Sequence, residues 1–251
     1  MEVKLTRVTQ NPVNAIEEAA SNCYDSKLSG GRIMKACYRS GHHSVLEFAQ
    51  FTFHITGVSR ALLAQLTRHR IASFAVRSQR YCSEDGFDYV IPPSIKENEK
   101  ALEFYKRMME SLDEGYHALS ENFGIPNEDA RFILPNACAT TLEVSMNGRE
   151  LIHFFNERMC TRAQWEIRAL AYKMKMCLEE EGGQCAEFAK FARPKCKAYD
   201  EHTGMCPEHN SCGMSPTITE VLNDYNFFKP IKRHFGTVDF DKIRDLLDNA
   251  K

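Results

Sequence analysis

Four arginines crowd one short stretch of this chain. From Gln65 to Tyr81 it reads Gln-Leu-Thr-Arg-His-Arg-Ile-Ala-Ser-Phe-Ala-Val-Arg-Ser-Gln-Arg-Tyr, which sets Arg68, Arg70, Arg77 and Arg80 beside His69, Ser73 and Ser78. No Asp or Glu occurs between Glu47 and Glu84, although the whole chain holds 34 acidic against 32 basic side chains. Guanidinium groups gathered without carboxylates repel one another unless an anion from outside completes the site. Their forked shape grips phosphate through paired hydrogen bonds, and Ser and Gln can read a base or a sugar. The stretch points to a phosphate-bearing small molecule. A net charge of −2 lacks the global basic footprint of a nucleic-acid binder.

Other clusters carry weaker signals. Arg149, Arg158 and Arg162 form a second basic group, with Glu150, Glu157 and Glu166 close by, so ordinary helix ion pairs account for it equally well. Arg158 and Arg162 share a face if one helix runs through both. His42, His43 and Glu47 lack the i, i+4 histidine pair of a zinc-binding helix. Cys185, Cys196, Cys206 and Cys212, with His202 and His209, have the ligand types of a structural zinc site. Their spacings of ten, nine and five residues make no tight Cys-x-x-Cys pair, so free thiols are expected and no metal. No Gly-x-Gly-x-x-Gly, P-loop or Gly-x-Ser-x-Gly occurs.

The elements that must hold these groups follow from periodicity. Val3, Leu5 and Val8 predict an opening strand, and Asn11-Pro12 starts a helix through about Tyr24. A short helix is expected over 32–39, and a half-buried strand over 48–56, where Phe51, Phe53 and Ile55 alternate with polar residues. A helix over 58–69 sends Arg68, His69 and Arg70 in different directions, so its end either serves two ligands or loosens into a loop. An extended segment after Ser73 would place Ser78 and Arg80 on one side and Gln79 on the other. Further on, a strand is expected over 87–91, then a long helix capped by Ser94 and reaching about Phe123. A strand over 140–146 precedes helices over 149–159 and 162–181, and Gly182-Gly183 ends the regular part. A last helix is expected over 239–249. The strands do not alternate with helices as βαβ units would, which favours an α+β fold: helix-rich, with a small mixed or antiparallel sheet flanked by long helices. The N-terminus carries no signal-peptide pattern and no apolar run approaches a membrane span, so a cytoplasmic location is expected.

Arg68-His69-Arg70-Ile71-Ala72-Ser73, followed by Ser78-Gln79-Arg80-Tyr81, resembles the signature of flavin-dependent thymidylate synthases. The likeness extends to Gly41-His42 with Ser44 and Glu47, to Phe51-Thr52-Phe53-His54, Gln65 and Arg131 before Leu134-Pro135, and to Asn147-x-Arg149. Arg158 before Ala163-Gln164-Trp165-Glu166-Ile167 completes it. It spans a catalytic region 1–192 and leaves a Cys-containing extension, 193–251, packed on or continuing the same domain. The resemblance implies methylation of dUMP to dTMP, with methylenetetrahydrofolate as carbon donor and FAD, reduced by NADPH, as hydride donor. Carried over by position, Gln65, Arg68, Ser78, Gln79, Arg80, Arg131 and Arg158 would hold dUMP. Ser44, Arg68, His69, Arg70, Asn147, Arg149 and His153 would hold FAD. Arg158 is the candidate catalytic group, a cation for the charge that develops on the uracil ring. The family works as a homotetramer with active sites shared between subunits.

The chain departs from the family pattern at Phe48, where many members have His, at Val76, where Glu or Gln is common, and at Arg162, where some have His. Two other readings exist. A flavin-free synthase needs a nucleophilic Cys in Pro-Cys-His, whereas Pro135-Asn136-Ala137-Cys138-Ala139 offers no following His. A nucleotide- or RNA-binding module without turnover could stack bases on Phe74 and Tyr81 between arginines; the near-neutral charge argues against a continuous groove.

Overall fold

A computed structural model of the chain describes residues 1–24, 27–198 and 204–223. The chain divides into two compact units, Met1–Pro194 and Lys195–Lys251.

Strands β1 (Glu2–Val8), β2 (Gln50–Ser59), β3 (Ala72–Val76) and β4 (Ala139–Asn147) pair antiparallel in the order β1-β2-β4-β3. Their alternation sets the register. Phe51, Phe53 and Ile55 lie opposite Met146, Val144 and Leu142, and all six are buried on one face. Ala72, Phe74 and Val76 extend that face on the other side of β4. A slip of one residue would send the whole apolar set to the wrong side. Gly57, at φ 65°, takes the left-handed conformation at the bulge between Thr56 and Val58, where a side chain would be strained.

The helices of the first unit are α1 (Pro12–Tyr24), α2 (Arg32–Arg39), α3 (Arg60–Leu66), α4 (Pro93–Lys96), α5 (Glu99–His117), α6 (Asn127–Ala130), α7 (Gly148–Arg158), α8 (Trp165–Glu181) and α9 (Gly183–Ala189). Leu151, Ile152, Phe154 and Phe155 of α7 join Ile167, Leu170, Met174 and Leu178 of α8 in the core that covers the apolar sheet face. Phe188 of α9 packs on Phe51 with ring centroids 4.5 Å apart. The fold is α+β with a four-stranded antiparallel sheet, as expected. In the second unit, α10 (Ile218–Asn223) follows a bridge between Cys206 and Thr217.

Several boundaries differ from the sequence expectation. Residues 87–91 form no strand; Tyr89 makes only an isolated bridge to Cys138 before Pro92-Pro93, which bring no backbone donors. Ser94 does not cap the long helix. Asn98 does, accepting from the Ala101 amide, after the single turn of α4, and α5 ends at His117 in a π-helical turn. Gly182 does not end the regular part: at φ 75° it redirects the chain into α9, whose Cys185, Phe188 and Ala189 have core surface to bury. The helix expected over 239–249, and His202, lie outside the described residues.

One buried carboxylate holds the α1–α2 connection. Glu17, 0 % exposed, accepts hydrogen bonds from the backbone amides of Ser29, Gly31 and Ile33 and from the Ser29 hydroxyl. At the start of α7, Gly148 admits no side chain, because a Cβ would lie 2.6 Å from the Leu46 carbonyl oxygen. That close approach fixes the helix bearing Glu150, His153 and Arg158.

Candidate active site

The arginine stretch begins at the end of α3. Ser59 caps the start of this helix, its hydroxyl accepting from the Leu62 amide, and Glu166 of α8 accepts from both the Ser59 amide and its hydroxyl. Glu166 is 2 % exposed, so it ties α8 to α3 and is not an ion-pair partner of the nearby arginines. Beyond Leu66 the helix loosens: the Arg68 and His69 amides bond to the Gln65 and Leu66 carbonyls, three residues back. This tighter turn sends His69 inward, 5 % exposed, and leaves Arg68 and Arg70 on the surface. The chain then enters β3.

His69 sits in a network the sequence did not reveal. Its Nδ1 lies 2.9 Å from Glu150 Oε1, and Arg158 Nε lies 3.0 Å from its Nε2. An arginine Nε–H can only donate, so His69 Nε2 accepts, and the ring proton sits on Nδ1, donating to Glu150. Phe154 packs edge-on against the imidazole at 5.1 Å, with His153 at 5.6 Å. Around this core opens a cleft of about 450 Å³ lined by Arg68, His69, Arg70, Ile71, Glu150, His153, Glu157 and Arg158. His69, Glu150 and His153 place ligand atoms within 4.8 Å of one another, but Arg158 already occupies the imidazole lone pair that a metal would need.

Other site residues gather in separate groups. Ser78 does not continue an extended strand. The Cys82 amide bonds to its carbonyl and the Arg80 amide to its hydroxyl, folding 78–82 into a turn. The one-side, other-side placement of Ser78, Gln79 and Arg80 is thereby overturned, since turn hydrogen bonds replace strand pairing. Arg80 pairs with Glu128 at 2.9 Å, and Arg131 donates to the Glu128 carbonyl. Gln79 donates to the Cys138 sulfur at 3.7 Å. Arg77 pairs with Glu84 at 3.2 Å. The stretch is thus not without carboxylates; they arrive from elsewhere in the chain, and among the described residues Arg68 and Arg70 are the two of the four that make no ion pair. A third group lies at the end of β4. Asn147 caps α7 by accepting from the Glu150 amide, Arg149 meets Glu47 at 2.7 Å, and Ser44 is exposed in the 3₁₀ turn His43–Phe48. Gln65, half-buried on α3, bonds within its own helix. Arg158 and Arg162 do not share a helical face, because α7 ends at Arg158 and α8 begins only at Trp165.

Cys138 is no nucleophile. It is fully buried, and burial, helped by the charge of Glu84, pushes its thiol pKa up to about 11. The thiolate is negligible near neutral pH. Cys138→Ala is therefore expected to keep catalytic turnover within about twofold, since a buried thiol acts as a small hydrophobe; a steady-state assay checks this.

Comparison with known proteins decides the family. The sequence model of the family described as thymidylate synthase complementing protein matches residues 4–181. The chain belongs to this family. A flavin-dependent thymidylate synthase of Geobacter sulfurreducens is 41% identical over 238 residues, covering 89% of this chain and 99% of that protein. The enzyme of the same name from Nitratidesulfovibrio vulgaris is 42% identical over 240 residues, covering 85% and 95%. Among solved structures, thymidylate synthase X of Helicobacter pylori with FAD and dUMP aligns with a TM-score of 0.62 and 26% identity, over 76% of this chain and 98% of that one. The resemblance drawn from the arginine signature is thus established, and the chain is a flavin-dependent thymidylate synthase homologue by sequence and by fold.

Glu150 was noted beside the second basic group, but its pairing with His69 was not foreseen, and Glu128 was missed altogether. Glu150 lies 81 residues from His69, and Glu128 lies 48 from Arg80. Arg60 was missed too: it donates to the Arg77 carbonyl, and burial, opposed by the charge of Glu84, holds its pKa below the ordinary guanidinium value. The only available signal was the i, i+4, i+8 spacing of Glu150, Phe154 and Arg158 on one helix face.

Proposed function

We propose that this protein converts dUMP to dTMP, with methylenetetrahydrofolate as carbon donor, FAD as resident cofactor and NADPH as reductant. The observation that carries the reading is the cleft in which exposed Arg68 and Arg70 flank buried His69 and the half-buried Arg158 bonded to it. Two guanidinium groups without an ion pair, beside a third held in place, suit a diphosphate and a pyrimidine side by side.

The residues fit FAD by their donors. Arg68, Arg70 and His153 line the cleft, with Ser44, Asn147 and Arg149 as further ligands. Asn147 uses its carbonyl oxygen as a helix cap, which leaves its amide hydrogens for a ligand. His69 has both ring nitrogens engaged, so it borders the flavin through its ring and not through a new hydrogen bond. Held there and reduced by NADPH, FAD would supply the hydride needed to turn a transferred methylene into a methyl group, with tetrahydrofolate as the leaving group.

Gln65, Arg68, Ser78, Gln79, Arg80, Arg131 and Arg158 hold dUMP. Arg80 and Glu128 are both about half exposed, and such ion pairs contribute only about 0–1 kcal/mol, so a phosphate dianion can displace the carboxylate. Arg158 presents its terminal nitrogens to the uracil ring and stabilises the anion that forms as carbon is transferred. Arg80 and Arg131 do not line the Arg158 cleft of their own chain, which supports sites shared between copies in a homotetramer. Region 1–192 carries this chemistry, with 193–251 as an extension. Among the described residues no helix is long and apolar enough to cross a membrane, and ten free thiols suit a reducing cytoplasm.

The purified protein, supplemented with FAD, is expected to show a flavin absorption band that NADPH bleaches. A protein that is colourless once unbound FAD has been removed by gel filtration contradicts the reading.

A further inference from the structure

We propose that Glu150 is a positioning residue, which acts through His69 to aim Arg158 at the pyrimidine; this rests on the function proposed above. Glu150, Phe154 and Arg158 stand one turn apart on α7 and meet His69 from successive positions. Glu150 accepts the Nδ1 proton at 2.9 Å, Phe154 packs on the ring, and Arg158 donates its Nε–H to Nε2 at 3.0 Å. The histidine reaches them from the end of α3, where the tightened last turn points it inward.

The pair has a direction. With Nδ1–H held by a carboxylate, Nε2 is obliged to be an acceptor, and the donor it faces is the arginine. The opposite tautomer would set an N–H against another N–H. Glu150 and His69 are 6 % and 5 % exposed, so solvent does little to scramble this choice. Apolar side chains could join α3 to α7 equally well. What this buried pair adds is a fixed lone pair for Arg158, leaving the two terminal nitrogens of the guanidinium to a ligand.

The test uses the FAD-loaded enzyme, reduced with dithionite without oxygen and mixed with dUMP and methylenetetrahydrofolate, while flavin reoxidation is followed by absorbance. Glu150→Ala is expected to bind FAD and to be bleached by NADPH like the wild type, yet to reoxidise about 10- to 100-fold more slowly, the range that a small misplacement of a reacting group costs. His69→Gln, whose amide oxygen reaches the place of Nε2, should be at least about 10-fold faster than His69→Asn, whose amide reaches only that of Nδ1. Wild-type reoxidation in Glu150→Ala, or equal rates in the two His69 variants, overturns the proposal and leaves the proposed function standing. A wild type whose reduced flavin ignores dUMP overturns the function itself. If Glu150→Ala does not fold, the His69 pair decides alone.

Discussion

Arg158→Ala is expected to retain bound FAD and its bleaching by NADPH, while dUMP-dependent reoxidation of the reduced flavin falls by about 10²- to 10³-fold, the usual cost of removing a donor aimed at a developing anion. The split follows from geometry. Arg158 is one cation among several that line the cleft, so flavin binding survives its loss. It is also the cation whose Nε is anchored on His69 at 3.0 Å, which holds its terminal nitrogens ready for the role that the proposed function gives them on the pyrimidine ring. Arg158→Lys should recover little, because one ammonium cannot hold His69 and present a fork to the ligand together. Rapid-mixing absorbance measurements on the reduced enzyme check both variants. Unchanged reoxidation in Arg158→Ala would remove it from the catalytic role.

The second large effect concerns stability. Glu17→Ala is expected to destabilise the fold by about 3 kcal/mol, because it strips a part-buried cluster of backbone amides of its shared, fully buried acceptor. Burial alone would raise the Glu17 pKa; the hydrogen bonds from Ser29, Gly31 and Met34 outweigh it and hold the carboxyl below the ordinary glutamate value. A group depressed in the folded state contributes stability that is fully present above its unfolded pKa of about 4.3 and is lost as pH falls through the folded value. Urea unfolding should therefore give a difference between wild type and Glu17→Ala that is constant near neutral pH and shrinks below about pH 4.

Much of the scaffold was legible because its elements obey a simple period. The alternation of Phe51, Phe53 and Ile55 announced β2, and the short helix expected over 32–39 is found at Arg32–Arg39. Where local signals competed, tertiary packing won. The double glycine at 182–183 reads as a stop, yet Phe188 had Phe51 to pack against, and the chain turned into another helix. Aromatic residues over 87–91 read as a strand, but among the described residues their pairing is limited to the single bridge of Tyr89 to Cys138. The site was legible by residue type and not by partner. Arginines without local acids pointed to an outside anion; that Glu84 and Glu128 would fold back onto Arg77 and Arg80 could not be read from spacing. The buried Glu150–His69 pair joins two helices through a contact that leaves no local pattern.

On the function proposed above, the arginine segment is a seam between two ligands and not a single anion site. Its tightened helix end turns His69 inward to Arg158, and leaves Arg68 and Arg70 facing outward. The most direct measurement is a single turnover without oxygen, with dTMP and oxidised flavin quantified in the same sample. The account predicts that FAD-loaded, fully reduced enzyme given dUMP and methylenetetrahydrofolate forms dTMP and oxidised flavin in equal amounts, and that omitting dUMP leaves the flavin reduced. Formation of dTMP without flavin oxidation, or flavin oxidation without dTMP, would contradict it.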